Sequence, residues 1–183
     1  MKEYFSFLFE IFKIVLIALL IVIPIRYFLF QPFIVRGDSM EPNFQNGDYL
    51  LIDEISFRFR DPKRGEVIIF RPPTQDSARY IKRIIGLPGE TVRIEDSEVL
   101  LFDGNADQIL DESSYLLPST LTPGNLTVSL GENEYFVLGD NRQFSSDSRR
   151  WGALKKENIT GRAFLRAWPA ARFTRIIIPS YSY

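Results

Sequence analysis

The sequence predicts an all-β domain carried behind one transmembrane α-helix. Three observations predict this class. Residues 4–25, YFSFLFEIFKIVLIALLIVIPI, form an apolar run interrupted only by Glu10 and Lys13. Past residue 30, short runs rich in β-branched and aromatic residues alternate with turn formers. After the first run, no stretch of ten residues carries the apolar period of an amphipathic helix.

The elements follow in order. As a helix, the first run can cross a hydrocarbon layer of about 30 Å. Glu10 and Lys13 stand three positions apart, where a helix lets them pair. The start is not strongly basic, and no small-x-small site follows the run. It therefore reads as an uncleaved signal-anchor, and residues 1–30 as an anchor unit. Lys2, Lys13, Arg26 and Arg36 leave its orientation open. Tyr27, Phe28, Phe30 and Phe33 suit the membrane interface, so the domain is expected to rest against lipid.

Strands are predicted at 48–53, 66–71, 79–85, 91–95, 98–102, 126–130, 134–138 and 162–168. Asn46-Gly47, Pro62, Arg64-Gly65, Pro72-Pro73, Leu87-Pro88-Gly89, Asp103-Gly104 and Gly131 separate them. Residues 31–183 thus make one β-rich domain, with a weakly patterned excursion near 96–125. Two matches to the glycosylation acceptor pattern, at Asn125 and Asn158, carry no weight.

Composition narrows the chemistry. The formal net charge of −1 gives no electrostatic case for binding nucleic acid. There is no cysteine and no histidine. Thiolate nucleophiles, disulfides and Ser-His-Asp triads are excluded, together with the commonest metal ligand. A hydrolase built from these residues must use Ser or Thr with Lys, carboxylates alone, or a hard metal held by oxygen.

Three segments carry candidate chemistry. Gly37-Asp38-Ser39-Met40-Glu41-Pro42 presents a serine in a tight polar elbow. Its hydroxyl can be displayed there while its own N–H faces an oxyanion; read alone, the segment is also an ordinary turn. In Arg79-Tyr80-Ile81-Lys82-Arg83-Ile84-Ile85, either strand face sets a cation among apolar side chains. Only lysine usefully loses its proton there, since arginine stays charged. To act near neutral pH, Lys82 must fall by roughly three units from about 10.4, which burial can supply. The other reading is a surface lysine with its head in water. Gly139 to Gly152, GDNRQFSSDSRRWG, is a polar loop in which Asp147 and Arg149, and Asp140 and Arg142, are placed to pair. Ser145, Ser146 and Ser148 can join that network.

At these residues the chain resembles the bacterial type I signal peptidases, membrane-anchored Ser-Lys proteases. The anchor comes first, then G-D-S-M-x-P, R-G-E-V-I-x-F, R-Y-I-K-R-x-x-G-x-P-G-E and G-D-N-R-x-x-S-x-D-S-R-x-x-G. The last two motifs are long and specific, and only residues 103–125 are poorly constrained.

The resemblance implies the antiparallel β fold of that family and a serine endopeptidase that cleaves signal peptides after Ala-x-Ala at the membrane surface. It implies Ser39 as nucleophile, Lys82 as general base and Ser145 as the group that hydrogen-bonds and orients the lysine. Asp147 and Arg149 match its structural ion pair, and Asp140 and Arg142 match positions that hold the loop in shape. Phe33, Val35, Met40, Phe44, Leu50, Ile69, Tyr80 and Ile81 match positions lining two shallow apolar pockets. No metal or organic cofactor is implied. The implied partners are preprotein signal peptides and membrane lipid, with the chain as a monomer. By the same analogy the N-terminus is cytoplasmic, and the catalytic domain lies outside the cell membrane.

One departure matters. Some relatives donate a second hydrogen bond to the oxyanion from a Ser or Thr where this chain has Gly37, and a lost donor can cost about 2.7–4 kcal/mol. Three rivals remain: the self-cleaving Ser-Lys repressors, which carry a DNA-binding domain in place of an anchor; a tethered β module that only binds peptides; and a carboxylate or metal protease.

Overall fold

The computed structural model describes residues 2–24, 30–73, 78–102, 104 and 107–181, and within the first helix the side chains of residues 4–20. Helix α1 spans Lys2–Pro24. The strands are β1 (Phe30–Ile34), β2 (Tyr49–Asp53), β3 (Val67–Phe70), β4 (Tyr80–Gly86), β5 (Thr91–Glu95), β6 (Glu98–Phe102) and β7 (Asp107–Ile109). They continue with β8 (Leu126–Ser129), β9 (Glu134–Leu138), β10 (Leu154–Lys155), β11 (Ile159–Trp168) and β12 (Thr174–Arg175). A one-turn helix α2, Ser148–Trp151, lies between β9 and β10.

Two antiparallel sheets result. The larger runs β1-β2-β11-β3-β4-β9-β10, with β12 also paired to β11; the smaller runs β7-β6-β5-β8. The smaller sheet follows from plain alternation. Val92 and Ile94 of β5 and Val99 and Leu101 of β6 are buried, and the residues between them point outward. Asp96 and Ser97 join these strands with φ of 50° and 68°, the left-handed pair that a two-residue hairpin turn requires. Strand β3, VIIF, is buried on both faces. Val67 and Ile69 enter a cluster with Val35, Met40, Phe44, Leu50, Ile52, Ile81 and Ala163. Ile68 and Phe70 enter another with Ile84, Tyr135, Val137 and Leu154. The unbroken apolar run is the price of that central position.

All eight predicted strands are present, with ends shifted by a few residues. Four others, β1, β7, β10 and β12, were not predicted. Pro32 hides β1, yet an edge strand tolerates a residue without an N–H, and β1 stands at the edge of its sheet. The excursion is more than a loop, because β7 adds to β6 and Leu110 and Leu116 are buried.

The expected pairing of Glu10 with Lys13 is not formed. Lys13 turns instead toward the Phe9 ring, 5.8 Å from its centroid. Among the described residues, no helix is long and apolar enough to cross a membrane. Tyr27 and Phe28 of the expected interfacial collar, and the side chain of Phe30, lie outside the described residues.

Candidate active site

Three places in the larger sheet converge. Ser39 stands five residues past β1, in a segment of tight turns. Gly37 adopts φ of 80° there, which glycine alone takes without strain, and its N–H donates to Asn46 Oδ1 at 3.1 Å. Lys82 lies mid-strand in β4, opposite Ile68 of β3. The loop after β9 begins at Gly139.

The two reactive groups meet. Lys82 Nζ lies 2.6 Å from Ser39 Oγ and donates to the Ile81 carbonyl at 2.8 Å. Lys82 is 3% exposed. Burial pushes its pKa down from 10.5 to about 8, against the upward pull of Asp147 and Asp140. A lysine in that state is neutral for an appreciable fraction of the time near neutral pH, and its lone pair faces a hydroxyl within hydrogen-bond reach.

The Ser39 backbone is held by a residue that the sequence reading passed over. Asn141 N–H donates to the Ser39 carbonyl at 3.1 Å, and Asn141 Nδ2 donates to the Asp38 carbonyl at 3.0 Å. The second bond fixes the plane of the Asp38–Ser39 peptide, and so the direction of the Ser39 N–H. That N–H has no acceptor among the described residues.

Gly139 makes this approach possible. A methyl group there would overlap the Ser39 carbonyl oxygen and Ser145 Oγ. Ser145 is buried beside Asp147, and its hydroxyl helps to hold the pKa of that carboxyl down. The expected Ser145–Lys82 hydrogen bond is not formed; the lysine nitrogen turns to Ser39 and the Ile81 carbonyl instead.

The expected Asp147–Arg149 pair is present and bidentate, with Nε to Oδ1 at 2.8 Å and Nη2 to Oδ2 at 2.9 Å. Asp147 is fully buried, caps α2 and accepts the Gly139 N–H at 3.1 Å. Burial pushes its carboxyl up, but the Arg149 guanidinium and the Gly139 N–H outweigh this and hold it below the usual range.

Asp140 and Arg142, by contrast, do not pair with each other. Their side chains diverge across a tight turn in which Arg142 N–H meets the Asp140 carbonyl. Asp140 takes Arg83 in a two-point bond, at 2.8 and 2.6 Å, and also accepts from Asn43 Nδ2 at 2.8 Å. Arg142 reaches the excursion, bonding Glu112 at 2.7 and 2.5 Å and also Thr122. Asn43, Arg83, Glu112, Thr122 and Asn141 thus belong to the scaffold of the site. Only the motif letters around Arg83 and Asn141 hinted at two of them.

A cleft of about 570 Å³ opens over the Ser39–Lys82 contact. Phe33, Tyr80 and Ile81, all expected in the pockets, line it together with Ile34, Arg36, Ala78, Arg79 and Ser146. Val35, Met40, Phe44, Leu50 and Ile69 do not reach its surface; they pack in the core, in the cluster that also includes Ile81. A larger open groove of about 830 Å³, between residues 131–134 and 155–159, sets no nucleophile beside a base. Among the described residues no cluster of carboxylates is built to hold a metal ion.

The chain is similar to known signal peptidases. The family model described as "Signal peptidase, peptidase S26" matches residues 8–168. A "Probable signal peptidase I-2" of Synechocystis is 39% identical over a match covering 89% of this chain and 74% of that one. "Signal peptidase I P" of Bacillus subtilis subsp. natto is 36% identical, covering 87% and 89%. A solved signal peptidase I of Enterococcus faecalis is 31% identical, covers 56% of this chain and 97% of that one, and superposes with a TM-score of 0.46. The match of the S26 model to all but the ends of the chain settles its lineage: it belongs to the signal peptidase family, a family of serine endopeptidases.

Proposed function

We propose that this chain removes signal peptides from exported preproteins by means of a Ser39–Lys82 dyad. The observation that carries the proposal is the 2.6 Å approach of a buried amine to a serine hydroxyl in a chain without histidine. Neutral Lys82 takes the Ser39 proton as Oγ attacks the scissile carbonyl. The Ser39 N–H, aimed by Asn141, receives the developing oxyanion. The lysine then gives its proton to the leaving amine, and the ester carbonyl becomes open to water. The same nitrogen activates that water, and the acyl-enzyme is hydrolysed. Asp147, Arg149, Asp140 and Arg142 keep the surrounding loop in place. No cofactor takes part.

The substrate lies extended, along the free edge of β1, with main-chain bonds supplying affinity. Two small side chains enter the shallow floor formed by Phe33, Tyr80 and Ile81. The buried cluster beneath it cannot yield to bulk, and this accounts for an Ala-x-Ala preference. The apolar sequence of residues 4–25 supports a membrane anchor, with the protease domain of residues 31–183 on the extracytoplasmic side as a monomer. Anchoring holds enzyme and signal peptide on one surface, which raises their effective concentration.

The test uses the full-length chain in detergent with an Ala-x-Ala preprotein. Wild type should release the mature protein with its N-terminus directly after the second alanine. Ser39→Ala and Lys82→Ala should each stop cleavage while circular dichroism and melting remain those of a folded protein. Cleavage by either variant would overturn the dyad.

A further inference from the structure

The cleft is basic in a chain whose net charge is slightly negative. Arg36 and Arg79 enter its lining from opposite sides, one two residues past β1 and the other directly before β4. Both are exposed. Among the described residues that line the cleft none is acidic; Asp38 and Glu41, the carboxylates nearest Ser39 in sequence, are not in the lining. Arg79 Nη1 donates to Gln31 Oε1 of β1 at 3.2 Å, a bond that spans from one wall to the other. It leaves the remaining guanidinium donors unspent.

Along β1 and just past it the positions follow from strand alternation: Phe33 is half-buried and Val35 buried, while Ile34 and Arg36 face outward. Arg79 has the parity of the buried Ile81, but it precedes β4 and is exposed at the strand's entry. An extended peptide obeys the same period of two. If it sends two small side chains two residues apart toward the apolar floor, the side chain between them points away from the floor, toward the rim that the arginines hold.

We propose that Arg36 and Arg79 read this intervening side chain, and that the enzyme selects substrates with Asp or Glu between the two small residues. The inference rests on the proteolytic reading above. A planar guanidinium offers two parallel N–H donors to a carboxylate, and no neutral side chain matches both charge and geometry. On an exposed rim the gain is moderate and screened by salt. A preference of about 3- to 10-fold for Glu over Gln is expected at low ionic strength.

Soluble quenched peptides differing only as Ala-Glu-Ala, Ala-Gln-Ala and Ala-Lys-Ala test this. They are assayed with the full-length chain in neutral detergent, so that anionic lipid plays no part, at about 0.02 M and about 0.5 M salt. Wild type should rank Glu above Gln above Lys in kcat/KM, with the spread shrinking at high salt. The Arg36→Glu, Arg79→Glu double variant should reverse the order. Ratios within one variant cancel any loss common to all three peptides. Equal rates on the three peptides with wild type, or an acidic preference that survives the double reversal, would overturn this inference and leave the dyad standing. Failure of wild type to cleave any of them would overturn both.

Discussion

Lys82 Nζ and Ser39 Oγ lie 2.6 Å apart although the residues are 43 positions apart in the chain. The distance is short because β4 is an interior strand and the segment after β1 folds back across it. The lysine is held at about 8, so the fraction able to accept a proton grows tenfold per pH unit below that value. In a pH series of kcat/KM on an Ala-x-Ala peptide, the ascending limb should bend near pH 8. A limb bending near 10.5 would mean that the amine is fully solvated.

The same burial has a stability consequence. The folded pKa is depressed, from 10.5 to about 8, so between those values the unfolded chain binds more protons and stability rises with pH. Below pH 8 the buried cation costs on the order of 3 kcal/mol. Lys82→Met, which keeps the volume and removes the charge, should be inactive yet more stable than wild type at pH 7. Its gain should shrink as pH climbs from 8 toward 10.5. Urea unfolding at pH 7, 8.5 and 10 checks both sign and window.

Asn141 makes a prediction that separates positioning from binding. Its Nδ2 holds the Asp38 carbonyl, and that bond sets the direction of the Ser39 N–H. Gly37 has no hydroxyl to supply a second oxyanion donor, so a badly aimed N–H is not compensated by a side chain at that position. Asn141→Ala should lower kcat by about 10- to 100-fold with little change in KM, since the oxyanion exists only after attack. A peptide aldehyde, which mimics the tetrahedral state, should lose affinity in parallel. A rise in KM alone would assign Asn141 to substrate binding instead.

What was legible in the sequence, and what was not, follows from the range of each interaction. Strands β5 and β6 show their period of two within five residues each, and Asp147 with Arg149 is a local pair at a helix cap, so both could be read directly. Strands β10 and β12 are two residues long and have no period to display. Asp140 and Arg142 looked like partners because they are neighbours. Their real partners, Arg83 and Glu112, are 57 and 30 residues away, and only the pairing of β4 with β9 and the return of the excursion bring them within reach. Ser39 and Lys82 were visible as motifs, but their burial and separation depend on the packing of the whole larger sheet.

The Glu112–Arg142 bond ties the excursion to the scaffold of the proposed site. Arg142 has a fully buried side chain, and Glu112 is its carboxylate partner, reaching it from outside the loop. Glu112→Gln leaves a buried guanidinium without its counter-charge, a change that costs about 3–5 kcal/mol when a buried pair loses one member. It should lower the melting temperature and reduce activity, and replacing Arg142 by Met in the same chain should recover much of the stability. A double-mutant cycle of the two positions, read by urea unfolding, should give a coupling above about 1 kcal/mol.

Gly139 offers the sharpest steric test. It lies where the Ser39 carbonyl and Ser145 Oγ close on the backbone, and an added methyl group overlaps both. One of the two neighbours is main chain, so a rotamer change cannot absorb the clash. Gly139→Ala must push the Ser39 elbow away from β4, and the Ser39–Lys82 hydrogen bond lengthens with it. The expected loss in kcat is at least 100-fold, because a displacement of about 1 Å at reacting atoms is enough for that. Strand order should survive, since Gly139 lies past the end of β9 and its N–H serves Asp147 rather than the ladder. Activity within threefold of wild type, with native melting, would show that the elbow has room that the packing denies.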